Sequence, residues 1–213
     1  MFTKRIFSAL ICAFMTSGAL FLSSCEGKSA NSSSCAAPSD TTQIVLNNIM
    51  TRTSIRQFTS RPIAKDTLLT IVKAGMAAPS AVNLQPWSFI VIDDRETLQK
   101  LNSVHPYANL KTATAAIVVC GLPDKTDNES IRAYWVQDCS AATENILLAA
   151  HAFGIGAVWC GVYPNPERIP SVKEVLEIPE NVEPLNIITM GWPDQNPEPK
   201  DKWKEENVHF QKW

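Results

Sequence analysis

Apolar side chains recur along this chain with two different spacings, and each spacing predicts a different element. In Lys65–Met76 the residues Leu68, Leu69, Val72 and Met76 return every three or four positions, so one stripe of a helix is apolar. Arg95–Ser103 reads as a second amphipathic helix and Gln43–Met50 as a short one. Tyr134–Phe153 is rich in Ala and Leu and apolar on most faces, which predicts a long core helix ended by Gly154. Pro166–Leu176 predicts a helix with proline near its first turn. Ala115–Gly121 is a continuous apolar run of strand length, the pattern of a central strand buried on both faces. Ser88–Ile92, Ala157–Cys160 and Leu185–Gly191 are shorter β-prone runs. Helices and strands alternate without a strict βαβ rhythm and without internal repeats, so the expected class is α+β in a single domain.

The first 42 residues follow another logic. Lys4 and Arg5 precede an uncharged, mostly apolar stretch from Ile6 to Leu22, which runs into Leu22-Ser23-Ser24-Cys25. This is the layout of a secretory signal. Its end resembles the lipobox of bacterial lipoproteins, whose cysteine is diacylated and then becomes the mature N-terminus. The expectation is a signal peptide over 1–24, lipidation at Cys25, and an extracytoplasmic protein anchored in a bacterial membrane, at the periplasmic face or the cell surface. Glu26–Thr42 is Ser-, Ala- and Asn-rich and holds almost nothing that could bury a core. Residues 25–42 are therefore expected to be a flexible tether, and 43–213 the folded domain.

Composition narrows the function classes. The 213 residues are 45% hydrophobic, with 19 basic and 21 acidic side chains, a net charge of −2. That is globular composition, and a nearly neutral chain without a basic block does not suit nucleic-acid binding. Of the six cysteines, Cys12 falls in the signal and Cys35 in the tether. Cys120, Cys139 and Cys160 sit in apolar surroundings with no CxxC pair, the pattern of buried unpaired thiols. His105, His151 and His209 are too scattered to form a metal site.

Four segments carry candidate chemistry. In Arg52-Thr53-Ser54-Ile55-Arg56 an extended backbone would put Arg52, Ser54 and Arg56 on one face, two guanidiniums and a hydroxyl suited to a phosphate or a plain solvated surface. Pro79-Ser80-Ala81-Val82-Asn83-Leu84-Gln85-Pro86-Trp87 holds two side-chain amides between prolines, each amide with the donor and acceptor needed to read a heterocycle edge. In Gly154-Ile155-Gly156-Ala157-Val158-Trp159-Cys160-Gly161-Val162 the glycines follow a helix and precede a strand, so they are no dinucleotide fingerprint. Gly161, at a strand end, is where backbone could approach a planar ligand closely. In the tail, Lys200 and Lys202 add positive charge, and a chain ending on Phe210 and Trp213 suggests burial against another surface such as a second subunit.

Taken in this order, Arg-x-Ser-x-Arg, PSAVNLQPW, the long Ala/Leu helix leading into GIGAVW, and MGWP followed by PKDK are similar to the nitroreductase family of FMN flavoproteins. The resemblance covers residues 43–213. It implies a central mixed sheet flanked by helices, an intertwined homodimer, and FMN at the subunit interface. It places Arg52, Ser54, Lys200 and Lys202 on the FMN phosphate and Arg56 near the pyrimidine edge. Pro79, Ser80, Ala81 and Asn83 would line the isoalloxazine from the partner subunit, and the Gly161–Val162 backbone would approach the flavin N5. Some relatives carry a Glu-Gly pair at this last position, so only the backbone role transfers. Many have Arg where Lys202 stands, and Lys keeps the charge but not the bidentate fork. The implied activity is ping-pong oxidoreduction: NAD(P)H or another small donor reduces FMN and leaves, then a nitroaromatic, quinone or flavin-like acceptor enters. No protein side chain is needed as a catalytic acid or nucleophile, because the flavin carries the chemistry. An alternative of another class is a non-catalytic lipoprotein that binds flavin or another ligand on the same scaffold.

Overall fold

The computed structural model describes residues 39–213. The signal segment, Cys25 and Cys35 lie outside the described residues.

Four strands, β1 (Trp87–Ile92), β2 (Ala115–Gly121), β3 (Gly156–Gly161) and β4 (Glu183–Gly191), form one sheet in the order β1-β2-β4-β3. All three strand pairs are antiparallel. The mixed character expected of the sheet is confined to a single parallel bridge, Ser54 to Ala157, on the outer edge of β3. Every residue of β2 is buried, because helices cover both faces of the strand. Residues Ala116, Val118 and Cys120 of β2 point into one core, with Leu98 and Leu101 of α3 (Arg95–Val104) and Val172 of α6 (Arg168–Leu176). Ala115, Ile117 and Val119 point into the other, with Leu68 and Ile71 of α2 (Lys65–Met76) and Cys139 and Ile146 of α5 (Trp135–Ala152). The strict alternation on β2 is the period-2 consequence of the pleat.

α5 buries Trp135, Asp138, Cys139, Ala142, Thr143, Ile146, Leu147 and Ala150, one stripe at three- and four-residue spacing. Gly154 takes φ +71° just past its end, which explains a glycine there. α6 begins two residues later than its proline suggested, because the Asn165 carboxamide oxygen accepts from the backbone N–H groups of Glu167 (3.0 Å) and Arg168 (2.9 Å). α1 (Asp40–Thr51) begins earlier than expected, capped by Ser39, whose hydroxyl accepts from the Thr42 N–H at 3.2 Å. Asp40 to Thr42 therefore belong to the helix and not to the tether. A short helix absent from the expectation, α4 (Glu129–Arg132), is capped by Asn128.

α1 buries no residue of its own. It is held to α5 by polar contacts, Asn48 Nδ2 to the Leu148 carbonyl at 3.1 Å and Thr51 Oγ1 to His151 Nε2 at 2.9 Å. Its Ile44, Val45, Ile49 and Met50 are exposed. From Pro193 onward the chain is irregular apart from one 3-10 turn, Glu205–Asn207, its start pinned by the Asp194 N–H donating to the Gln57 carbonyl (2.9 Å), and its Trp203, Phe210 and Trp213 are exposed. Cys120, Cys139 and Cys160 are buried and unpaired, as expected.

Candidate functional site

The site starts where α1 stops. Arg52 leaves the helix with extended backbone (φ −60°, ψ 124°). The following residues run beside β3, with the Ile55 N–H donating to the Ala157 carbonyl at 3.0 Å. Ile55 is buried against Gly156, and the fit is close: a Cβ at Gly156 would lie 2.6 Å from Ile55 Cγ2. Anchoring Ile55 inward turns Arg52, Ser54 and Arg56 the other way, as the alternation predicted. These three, with Lys200 and Lys202 from the tail, line one cavity of about 1020 Å³. The cations Arg52, Arg56, Lys200 and Lys202 outnumber the cavity's Glu144, Glu198 and Asp201. Arg52 Nε lies 3.6 Å from Glu144 Oε1, a partner on α5 that sequence reading did not single out. A hydroxyl, two guanidiniums and two ammoniums converging from positions nearly 150 residues apart form a donor set for a phosphate.

The second expected segment, between α2 and β1, is strained. Val82 (φ 46°), Asn83 (φ 56°) and Gln85 (φ 53°) all occupy the left-handed region without being glycine. Such backbone persists only where surroundings over-determine it. Here the Ala81 N–H donates to Asp138 Oδ1 at 3.0 Å, the Gln85 N–H to Ser80 Oγ at 2.9 Å, and Lys125 Nζ to the Gln85 carbonyl at 2.7 Å. The Ser80 oxygen is thus engaged inside the loop, leaving its hydroxyl hydrogen to donate outward. Pro79 and Asn83 are exposed. None of Pro79, Ser80, Ala81 or Asn83 lines the cationic cavity of its own chain.

The third lies at the end of β3. A Cβ at Gly161 would meet no atom within 4 Å, so space stands open there. Gly161 lies on the same face of the strand as Ala157 and the partly exposed Trp159. Val162 does not share that freedom: its side chain is fully buried and its N–H donates to the Leu185 carbonyl at 3.0 Å. Neighbouring residues of an antiparallel strand point their N–H and C=O groups to opposite edges. The Gly161 N–H and C=O therefore face the outer edge of the sheet. Of the pair expected to approach a ligand, Gly161 is the one available.

Two residues missed in the sequence meet at that outer edge. His105 Nε2 lies 2.9 Å from the Gly161 carbonyl oxygen, and Arg168 Nη1 lies 3.2 Å from the same atom. His105 is buried, and burial, with Arg168 nearby, lowers its pKa. No sequence signal marks either residue, because their common target is a backbone atom 56 positions from His105.

A smaller cavity of about 420 Å³ lies beside Phe58 and Arg95. The Arg95 guanidinium is spent on the carbonyls of Lys111 (2.8 Å), Ala113 (3.0 Å) and Leu110 (3.4 Å), so its role is structural.

Known proteins resemble this chain over most of its length. The profile of the nitroreductase family matches residues 49–105 and 104–192. A Methanothermobacter thermautotrophicus protein, provisionally named an NADH dehydrogenase/NAD(P)H nitroreductase, is 45% identical over 170 residues, spanning 79% of this chain and 87% of the relative. A crystal structure of a protein provisionally named likewise, from Parabacteroides distasonis, superposes with a TM-score of 0.74 at 42% identity, covering 80% of this chain and 99% of that one. A nitroreductase provisionally so named from Desulfovibrio desulfuricans, solved in complex with FMN, superposes with a TM-score of 0.67 at 30% identity, covering 79% and 97%.

Proposed function

The chain belongs to the nitroreductase family, and from that premise we propose that it is an FMN-dependent oxidoreductase that takes electrons from NAD(P)H or another small donor and passes them to a nitroaromatic, quinone or flavin-like acceptor. The observation that carries this reading is the convergence of Arg52, Ser54, Arg56, Lys200 and Lys202 on one cavity. The residues fit the cofactor: the cationic cavity suits its phosphate, and the open side of Gly161 suits a flat ring. Bound FMN supplies the redox chemistry, accepting two electrons from the donor and releasing them to the acceptor.

The protein's part is placement and charge. Arg52, Ser54, Lys200 and Lys202 bind the phosphate. Arg56 stands at the pyrimidine edge, where a cation favours the negative charge that reduction brings. Gly161 offers an N–H at an open sheet edge, and Pro79, Ser80, Ala81 and Asn83 form a rigid wall. No buried acid–base pair is required of the chain, and donor and acceptor take turns in the same cleft.

The wall belongs to a second copy in this reading. α1 turns five apolar residues outward, Ile44, Val45, Leu46, Ile49 and Met50, and the tail leaves Trp203, Phe210 and Trp213 exposed, surfaces that a homodimer would cover. Sedimentation of the wild type and of Ile49→Glu tests this; the wild type is expected to be a dimer and the variant to shift toward monomer. The signal-like N-terminus supports an extracytoplasmic, membrane-anchored lipoprotein. Incorporation of labelled palmitate that Cys25→Ser abolishes is the expected result, and it would make the donor a molecule available outside the cytoplasm.

The test of the activity is the absorbance spectrum of the purified full chain, before and after NADH or NADPH without air. A flavin spectrum that bleaches and returns on adding a quinone supports the proposal. A colourless chain that cannot take up FMN refutes it, and a flavin spectrum that no donor bleaches refutes the enzymatic part.

A further inference from the structure

The outer edge of β3 is closed in two places and open between them. Ile55 takes the Ala157 carbonyl, and His105 with Arg168 takes the Gly161 carbonyl. The second closure is unusual in its construction. Two donors from different elements, the residue just after α3 and the first residue of α6, converge on one oxygen and use both its lone pairs. One of them is a histidine only 2% exposed, whose Nδ1 is buried without a partner. A carbonyl at an exposed sheet edge is satisfied by water without either residue. Burying an imidazole with one nitrogen unsatisfied costs stability, so the cost points to a requirement at Gly161 itself.

We propose that His105 and Arg168 are positioning residues: they grip the Gly161 carbonyl, hold the strand end so that the Gly161 N–H faces the flavin ring, and keep the Arg168 cation at that end of the ring. This rests on the FMN reading above. A carbonyl carries no proton, so the hydrogen of the 2.9 Å contact sits on His105 Nε2 and Nδ1 is the bare nitrogen. Burial lowers the imidazole's pKa and keeps it neutral near pH 7. The charge at this end therefore belongs to Arg168, whose guanidinium also lies 5.9 Å from the Tyr107 ring centre. A fixed cation near a group that gains negative charge on reduction favours the reduced form.

The test compares the full-length wild type with His105→Phe, which keeps volume and loses the donor, Arg168→Met, which keeps the stem and loses the charge, and Arg168→Lys. In ligand-free protein, NMR reads the Gly161 carbonyl shift and amide exchange. Both are expected to change in His105→Phe and Arg168→Met, and unchanged signals overturn the grip. In FMN-loaded protein, fluorescence titration gives the affinity and dye equilibration the midpoint potential. The phosphate contacts are untouched, so FMN affinity is expected to fall by no more than about tenfold, the upper value of the one Gly161 N–H bond. The reduced-to-oxidised ratio at fixed potential is expected to fall about tenfold in Arg168→Met, a drop of about 30 mV for a two-electron couple. Arg168→Lys restores most of it. Potentials equal to wild type in both His105→Phe and Arg168→Met overturn the positioning role. If His105→Phe does not fold, the variants of the half-buried Arg168 decide the question alone. A wild type that takes up no FMN overturns the flavin reading and this role with it, and the ligand-free signals still report separately whether the grip exists.

Discussion

Two glycines five residues apart on β3 should respond in opposite ways to the same added methyl group. At Gly156 the new Cβ would lie 2.6 Å from Ile55 Cγ2 and 2.7 Å from Ile55 Cβ. The obstruction is the root of a branched side chain, which cannot swing aside without moving the Ser54–Ile55 backbone. Overpacking of this kind costs about 1–3 kcal/mol. For a domain of this size each kcal/mol moves Tm by about 2–4 °C, so Gly156→Ala should melt about 2–12 °C lower. At Gly161 no atom lies within 4 Å, and the backbone is not left-handed. Alanine there restricts only the unfolded chain, worth about 0.4–1 kcal/mol of added stability. The ligand-free Gly161→Ala protein should therefore melt at or slightly above the wild type. Its FMN affinity should nevertheless fall, because the methyl occupies the space assigned to the ring and pushes it off the Gly161 N–H. Loss of one hydrogen bond, about 0.5–1.5 kcal/mol, already approaches tenfold in affinity. Circular dichroism melts of the FMN-free proteins and fluorescence titration with FMN make the comparison. Wild-type FMN affinity in Gly161→Ala would refute the assignment of this strand end to the ring. A Gly161→Ala melting point as low as that of Gly156→Ala would refute the open space.

Other outcomes follow from the same geometry. Arg52→Ala should leave the chain folded while weakening FMN binding ten- to a hundredfold, since a contact to a charged group is worth about 1.5–3 kcal/mol; equilibrium dialysis measures it. Burial pushes the Cys120 and Cys139 thiols up to about 12 and raises that of Cys160, so all three stay protonated at pH 8. Thiol labelling mapped by mass spectrometry should miss these three in the native protein and find them after unfolding. Asp94 caps α3, accepting from the Thr97 N–H at 2.8 Å, and that bond holds its carboxyl below the usual value of 3.8. Its contribution is present above that value and disappears as pH falls through the lower folded pKa. Asp94→Ala should thus cost about 0.5–2 kcal/mol at pH 7 in a denaturant melt, and progressively less in acid as the wild-type carboxyl protonates.

Much of the molecule is legible in the chain because it depends on local periodicity. The helical stripe of Lys65–Met76, the all-buried run Ala115–Gly121 and the long helix before Gly154 need only the repeat of apolar positions, and the structure places all three as expected. The Arg52, Ser54, Arg56 face is equally local, since alternation along extended backbone puts them together once Ile55 turns inward. Sequence alone could not decide which partners meet these faces. That Lys200 and Lys202 return to the same cavity depends on the path of the tail, pinned at Asp194, and that Glu144 stands beside Arg52 depends on how α1 lies against α5. His105 looked like a stray histidine because its partner is a carbonyl, which every residue carries and no sequence pattern marks. Val162 and Gly161 are neighbours in the chain, yet the antiparallel ladder turns one N–H into the sheet and the other out of it. Local spacing therefore determined the elements and one face of the site. The meeting of distant cations on one cavity, the inward N–H of Val162 beside the outward backbone of Gly161, and the two donors on the Gly161 carbonyl came only with the tertiary structure, because each depends on contacts between residues far apart in the chain.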